Sequence, residues 1–406
     1  NVWSFAKPDT NGEMKFDWTG LEEAVQIATR FLDNVIDVNK FPLKELEEMT
    51  LATRKIGLGV MGLGDLFYDM KVVYNSDEGR KFMERLMQFI NYHSKLASIQ
   101  LAKDRGSFPY YNKSFYPKGR LPFRGYEDRS SWHFDWSKLV DEIKNNGLRN
   151  CYTTIVAPTG SISMIAGCSS GMEPIYSLIF EKRVKVGSFY YVDPVFEKVM
   201  TAEGLHDDEL LKTVSESGGS IQNIPYIPSE LKKIFITSHN IAPEDHIQSL
   251  AIFQKWVDSS VSKTNNFPAD ATVDDMKKSY QLAYKLGCKD VTVYRDTSIK
   301  DQVLVTGKKQ EDSTRETQPN EEATVEVPMD KSVLTTQLKS HKNKIYEGTA
   351  TEDTVEPFVT NYLQSSPILS PPIRPKEMNA CPICSVSLSF SEGCARCPGC
   401  GWGICS

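Results

Sequence analysis

Residues 148–176 read LRNCYTTIVAPTGSISMIAGCSSGMEPIY, and the order of residue types in this stretch decides the fold. The β-branched run from Tyr152 to Val156 predicts a buried strand, and Pro158 stops it. Thr159, Gly160, Ser161 and Ser163 then place small hydrogen-bonding residues where a helix begins. Free backbone N–H groups, the positive end of the helix dipole and hydroxyl donors together form a cradle that can hold phosphate oxygens without a lysine. An ordinary capped turn between strand and helix is the alternative, because Thr and Ser are common N-caps.

The neighbouring segments repeat the same strand and helix alternation. Thr19 and Glu22 form a capping box for a helix with the apolar face Leu21, Val25, Ala28, Leu32 and Val35, which should end near Asn39. Ser76 and Asp77 open a long helix through Phe82, Leu86, Phe89, Ile90, Leu96 and Ala97, stopped by Gly106. His93 lies on or beside that face and reads as a core or boundary histidine, since no second ligand stands near it. Thr272 and Asp275 cap a helix ended by Gly287, and Val291 to Tyr294 follows as a strand. Helix, glycine and buried strand in that order indicate an α/β barrel or sheet. Gly57, Gly59 and Gly62 satisfy G-x-G-x-x-G, but TRKI is a poor strand and Asp77 and Glu78 come too soon for a ribose contact. Close packing of a helix against its neighbours explains these glycines better.

Composition sets the outer limits. With 40% hydrophobic and 25% charged residues, the chain is that of an ordinary soluble globular protein of two or three structural units. A net charge of −6 and a pI near 5.7 argue against a broad nucleic-acid or membrane surface. No apolar run approaches the roughly 18 residues a membrane span needs, no signal peptide opens the chain, and the clustered cysteines fit a reducing cytoplasm. Residues 299–378 are rich in Glu, Thr, Lys, Ser and Pro and read as a flexible linker, either a tether for a travelling tail or a plain spacer. Beyond it, residues 379–406 carry six of the nine cysteines. The CPxC pairs Cys381/Cys384 and Cys397/Cys400 each set two thiolates on one tight turn, as a zinc ribbon requires. If the segments flanking the second turn pair as a hairpin, Cys394 and Cys405 sit across from each other, within reach of a reversible disulfide. A purely structural zinc adaptor with two idle thiols is the other reading.

Four ordered segments carry a resemblance: RKIGLGVMGLGDL, LRNCYTTIVAPTGSISMIAGCSSGMEP, HIQSLAIFQKWVDSSVSKTNNFP and LAYKLGCKDVTVYRDTS, together with the cysteine tail. They resemble the C-terminal half of an adenosylcobalamin-dependent ribonucleotide reductase over residues 1–298 and 375–406. The resemblance implies part of a ten-stranded α/β barrel in residues 1–298, then the linker and the small zinc-ribbon tail. It implies replacement of the ribose 2′-hydroxyl by hydrogen through a cysteine thiyl radical, generated by adenosylcobalamin, on a ribonucleoside di- or triphosphate. Pro158, Thr159, Gly160, Ser161 and Ile162 match the family's substrate-phosphate loop, and Glu173-Pro174 matches a structural part of the next segment. Cys151, Cys168 and Cys288 match no catalytic cysteine and read as buried small hydrophobes, and Tyr294 reads as a packing residue.

The same resemblance exposes departures. The family's Asn-Leu-Cys-x-Glu loop, with the radical cysteine and the carboxylate acid/base, is not found in the 406 residues, nor is its partner cysteine. The chain is therefore expected to need an N-terminal half, in the same or a separate polypeptide, and to form a homodimer when complete. In such an enzyme the tail dithiol reduces the active-site disulfide and is itself reduced by a thioredoxin-type partner. The expected redox pair is Cys394 with Cys405, leaving zinc to Cys381, Cys384, Cys397 and Cys400. Related reductases carry a terminal C-x4-C pair, which would instead make Cys400 and Cys405 the redox pair and Cys381, Cys384, Cys394 and Cys397 the zinc set. A noncatalytic zinc-ribbon binding protein and other reductase classes are the rival readings. An anaerobic glycyl-radical reductase would carry an Arg-x-x-Gly-Tyr type motif after the cysteines, which this chain lacks, and an iron-dependent large chain would normally lack the ribbon.

Overall fold

The computed structural model describes residues 1–184, 187–296, 298, 387, 389–391, 394–396 and 403–405. The chain divides into two compact units, Asn1–Ser313 and Thr314–Ser406. In the first unit a hairpin of β1 (Ala6–Pro8) and β2 (Met14–Phe16) leads into α1 (Trp18–Val38), α2 (Lys44–Thr53), α3 (Leu63–Asp69) and the long α4 (Asp77–Arg105). After α5 (Trp136–Asn146) come α6 (Gly160–Ala166), the hairpin β3 (Ile179–Val184) and β4 (Gly187–Val192), α7 (Pro194–Ala202), α8 (Asp208–Glu216) and α9 (Ser229–Ile234). The unit continues through α10 (Pro243–Trp256), β5 (Thr264–Phe267), α11 (Val273–Leu286) and β6 (Thr292–Arg295).

The main core lies between α4 and its neighbours α1, α5 and α10. Ser76 caps α4 through its side chain and Gly106 ends it, as expected. Trp136 and Trp256, both fully buried, stack with centroids 5.6 Å apart, and the Trp256 ring lies so close to Gly125 that a Cβ there would come within 2.7 Å of it. A second core gathers Phe196, Met200, Leu210, Val214 and Phe235 around α7, α8 and α9, joined to α3 by Tyr68.

The first helix corrects two expectations. It begins one residue before Thr19, and Asp17 caps it by accepting a bond from Gly20 N at 2.9 Å. Its buried stripe is Leu21, Val25, Thr29, Asp33 and Ile36, whereas Val35 is 41% exposed. Charge turns the helix. Asp33 is wholly buried and takes Arg54 Nε at 2.9 Å, Arg149 Nε at 3.3 Å and Asn150 Nδ2 at 2.9 Å. A buried carboxylate so surrounded outweighs one or two aliphatic contacts, because leaving it unpaired is far costlier than exposing a valine. His93 is buried, within the core-or-boundary reading, its Nδ1 3.1 Å from Glu22 and its ring packed on Phe89.

The parallel elements are short. Residues 56–58 bond to residues 152–155 through Ile56 N to Tyr152 O, Leu58 N to Thr153 O and Ile155 N to Leu58 O. On the other side, Val156 N bonds to Ser260 O and Ser262 N to Val156 O, so residues 152–156 form a central stave between two parallel neighbours. Next in the chain, β5, α11 and β6 make a βαβ unit with Thr264 opposite Thr292 and Phe267 opposite Arg295. Thr272 and Asp275 make the expected reciprocal capping box, and Gly287 ends α11 at φ +79°. Among the described residues these staves do not close a ring, so the expected ten-stranded barrel is represented by part of its wall. Two of the GLGVMG glycines pack a stave rather than a helix: a Cβ on Gly57 would lie 2.2 Å from Ile155 Cγ2, and one on Gly59 2.3 Å from Ile155 O, whereas Gly62 opens α3.

In the second unit, β7 (Ser389–Ser391), β8 (Cys394–Arg396) and β9 (Gly403–Cys405) form an antiparallel sheet. The expected hairpin is present, with Cys394 directly opposite Cys405. The linker reading for residues 299–378 and the zinc candidates Cys381, Cys384, Cys397 and Cys400 lie outside the described residues.

What fastens the central stave is a buried charge. Asp258 accepts Lys95 Nζ at 2.7 Å, Thr153 N at 2.7 Å and Asn91 Nδ2 at 3.1 Å, and all four residues are fully buried. Lys95→Met should cost about 3–5 kcal/mol, because the carboxylate loses its counter-charge where water cannot replace it. Adding Asp258→Asn should restore part of that loss. A denaturant double-mutant cycle checks this, and strictly additive losses would show that the two residues act separately.

Candidate functional site

The candidate site forms where the central stave ends. Val156 is the last stave residue, Ala157 and Pro158 are exposed, and Thr159 turns the chain in the left-handed region at φ +55°. From there α6 starts at Gly160. The end of a parallel strand followed by a helix start is where open α/β structures bind ligands.

No side chain caps α6. The expected Thr cap is diverted: Thr159 Oγ1 instead accepts from Gly171 N at 2.7 Å. The first amides of the helix are thus left without a local acceptor, which is the condition for holding an anion. The expected hydroxyls divide between two tasks. Ser163 is buried and bonded to Ser170 Oγ at 2.8 Å, so it braces the turn, while Ser161 is exposed. A Cβ on Gly160 would meet nothing within 4 Å, and Ile162 is 55% exposed, so the approach to the helix start is open.

Behind the loop lies a largely buried polar cluster that residue types alone did not reveal. Glu173 takes Lys263 Nζ at 2.6 Å and Thr264 N at 2.5 Å, tying the loop's exit to the start of β5. Lys263 is 2% exposed and also reaches His246 Nδ1 at 2.9 Å. An ammonium has only donors, so Nδ1 accepts and the other ring nitrogen donates to Ser238 O at 3.0 Å. Burial and the adjacent Lys263 charge hold His246 well below the usual histidine range, so its ring stays neutral. Burial also lowers the Lys263 ammonium, against the pull of Glu173. The available signal was Lys263 itself, the one charged residue in the run SSVSKTNNF at residues 259–267.

Tyr294 is half-buried on β6, consistent with packing, and Tyr176, pushed up to about 12 chiefly by burial, feels both Tyr294 and Asp296. Of the three scattered cysteines only Cys151 is fully buried; Cys168 and Cys288 are partly buried, and all three are free thiols. Among the described residues no cluster of His, Cys, Asp and Glu is arranged to hold a metal.

Residues 1–294 match the family described as ribonucleotide reductase, barrel domain. The chain therefore belongs to the ribonucleotide reductase barrel-domain family. It is similar to the vitamin B12-dependent ribonucleoside-diphosphate reductase of Thermoplasma acidophilum, 43% identical over 312 residues that cover 77% of this chain and 36% of the relative. The Mycobacterium tuberculosis protein of the same description is 38% identical over 290 residues, covering 71% of this chain and 38% of that one. Among solved structures, the Actinobacillus ureae class Id ribonucleotide reductase alpha subunit shares the fold with a TM-score of 0.54 at 23% identity, over 68% of this chain and 46% of that one. The chain thus spans between a third and a half of the length of these proteins.

Burial pushes the Cys288 thiol up to about 11. Its reactive thiolate share near neutral pH is then lower by roughly a hundredfold than that of an ordinary cysteine. Iodoacetamide at pH near 7.5, read out by peptide mass spectrometry, should label Cys288 at least about fiftyfold more slowly in the folded chain than in urea. Equal rates would place the thiol in open solvent.

Proposed function

We propose that this chain is the substrate-phosphate and reductant-carrying part of a cobalamin-dependent ribonucleotide reductase that converts ribonucleoside diphosphates to 2′-deoxyribonucleotides. One observation carries the reading: an uncapped, open helix start at Thr159–Ile162 sits at the end of a buried parallel stave, in a chain whose barrel region matches this family. In this reading the amides of Gly160, Ser161 and Ile162 and the Ser161 hydroxyl hold phosphate oxygens, and Pro158 and Thr159 set the turn. Cobalamin, when bound, supplies the homolysis that starts the radical chemistry. The loop's part is to fix the substrate by its phosphates so that the ribose is presented to that chemistry.

The tail closes the cycle. Each turnover leaves an active-site disulfide; the Cys394 and Cys405 thiols take it over by exchange, giving back the active-site dithiol and becoming a disulfide themselves. Their position opposite each other on β8 and β9 supports that pairing, since directly paired antiparallel residues have Cα separations of about 4.5–5.5 Å, within the range a disulfide spans. A thioredoxin-type dithiol then reduces the tail, and zinc on Cys381, Cys384, Cys397 and Cys400 stabilises it.

Two experiments test this. Calorimetric titration of the chain with CDP and with inorganic pyrophosphate should give binding that Gly160→Asp weakens at least about tenfold, whereas Gly160→Ala changes it less than about threefold. No difference between the two variants would move the phosphates elsewhere. In the complete reductase, Cys394→Ser should abolish repeated turnover with thioredoxin as reductant and leave a single turnover intact. Loss of the single turnover would sink the tail's assignment.

A further inference from the structure

The loop that the proposed function relies on has little packing of its own. Met164 and Ile165 on α6 are 79% and 86% exposed, so apolar burial contributes little to holding the helix in place. Its attachment is a chain of hydrogen bonds. Thr159 Oγ1 accepts from Gly171 N at 2.7 Å and Ser163 Oγ meets Ser170 Oγ at 2.8 Å, so the helix hangs from residues 169–171. Ser169 in turn is docked on the beginning of α3: its carbonyl accepts from Gly62 N at 2.8 Å, its hydroxyl accepts from Gly64 N at 3.1 Å, and its own N–H donates to Asp65 Oδ2 at 2.6 Å.

Asp65 is the side chain that α3 contributes to this attachment, and it is 3% exposed. A carboxylate in such a place is expensive unless it is hydrogen-bonded, and Ser169 supplies the bonds. Gly62, at φ +81°, allows the sharp entry into α3 that brings Asp65 under the returning loop. The link from α3 to the helix start therefore runs Asp65, Ser169, Ser170 and Gly171, Thr159 and Ser163.

We propose that Asp65 is a positioning residue for the substrate-phosphate loop: by accepting the Ser169 N–H it sets where the amides of Gly160–Ile162 stand. The proposal rests on the phosphate-loop reading given above. It assigns Asp65 no contact with substrate; its effect passes through Ser169.

The test is a titration of the chain with CDP and with inorganic pyrophosphate, alongside hydrogen exchange of residues 159–171. Asp65→Ala should weaken both ligands about tenfold and raise exchange across the loop. Asp65→Asn, whose amide oxygen can still accept the Ser169 N–H, should stay within about threefold of wild type and keep the loop protected. Should Asp65→Ala fail to fold, Asp65→Ser keeps a polar group there but is too short to reach Ser169, and carries the same expectation. Unchanged affinity and exchange in Asp65→Ala or Asp65→Ser would overturn the positioning role while leaving the phosphate reading intact. An Asp65→Asn variant as weak as Asp65→Ala would also overturn it, since charge rather than the hydrogen bond would then matter. If wild type binds neither ligand, the phosphate reading fails, and the exchange of residues 159–171 still decides whether Asp65 holds the loop.

Discussion

Asp258 is the constraint on which the rest of the molecule depends. It is fully buried and takes bonds from Lys95 on α4 and from the backbone of Thr153 in the central stave, while its own N–H bonds to Thr154 Oγ1. One carboxylate thus joins the long helix, the stave and the segment leading to β5. Apolar contacts could place these elements against one another in several registers, since dispersion and area burial are not directional. A charge without water tolerates only the register in which its donors reach it. The loop at Thr159–Ile162 begins where that register ends.

Around the loop the same economy recurs at smaller scale. Glu173 ties its exit to Lys263 and Thr264, and Asp65 ties its turn to α3. Between these anchors α6 keeps an exposed face and an uncapped start. Under the proposed function, a loop held at its flanks and open at its tip receives a polyanion with little rearrangement, because donors already in place need no reorganisation when the ligand arrives. The neutral His246 beside Lys263 fits this arrangement, adding an acceptor without adding charge.

Much of this was legible from residue types and spacing. The stave from Tyr152 to Val156, the stop at Pro158, the Ser76 and Thr272 caps and the ends of α4 and α11 at Gly106 and Gly287 follow from local rules, since caps and left-handed glycines act within one turn of chain. The cross-strand position of Cys394 and Cys405 follows from their spacing on either side of the Cys397/Cys400 pair. The start and face of α1 did not follow. Thr19 looked like a cap, but Asp17 does the capping, and the buried stripe turned toward Asp33 because Arg54, Arg149 and Asn150 wait there.

The sequence by itself determined the strand-then-helix order, the small-residue turn Pro158–Ile162, the cysteine spacing of the tail and the family, because each depends on residues near one another in the chain or on ordered motifs. Tertiary structure alone decided which hydroxyls brace and which remain exposed: Thr159 and Ser163 turn to Gly171 and Ser170, while Ser161 stays exposed. It also decided that Asp65, Lys263 and Asp258 matter, since their partners lie about 90 to 160 residues away. Buried charges choose partners by distance in space, and no local pattern encodes that distance.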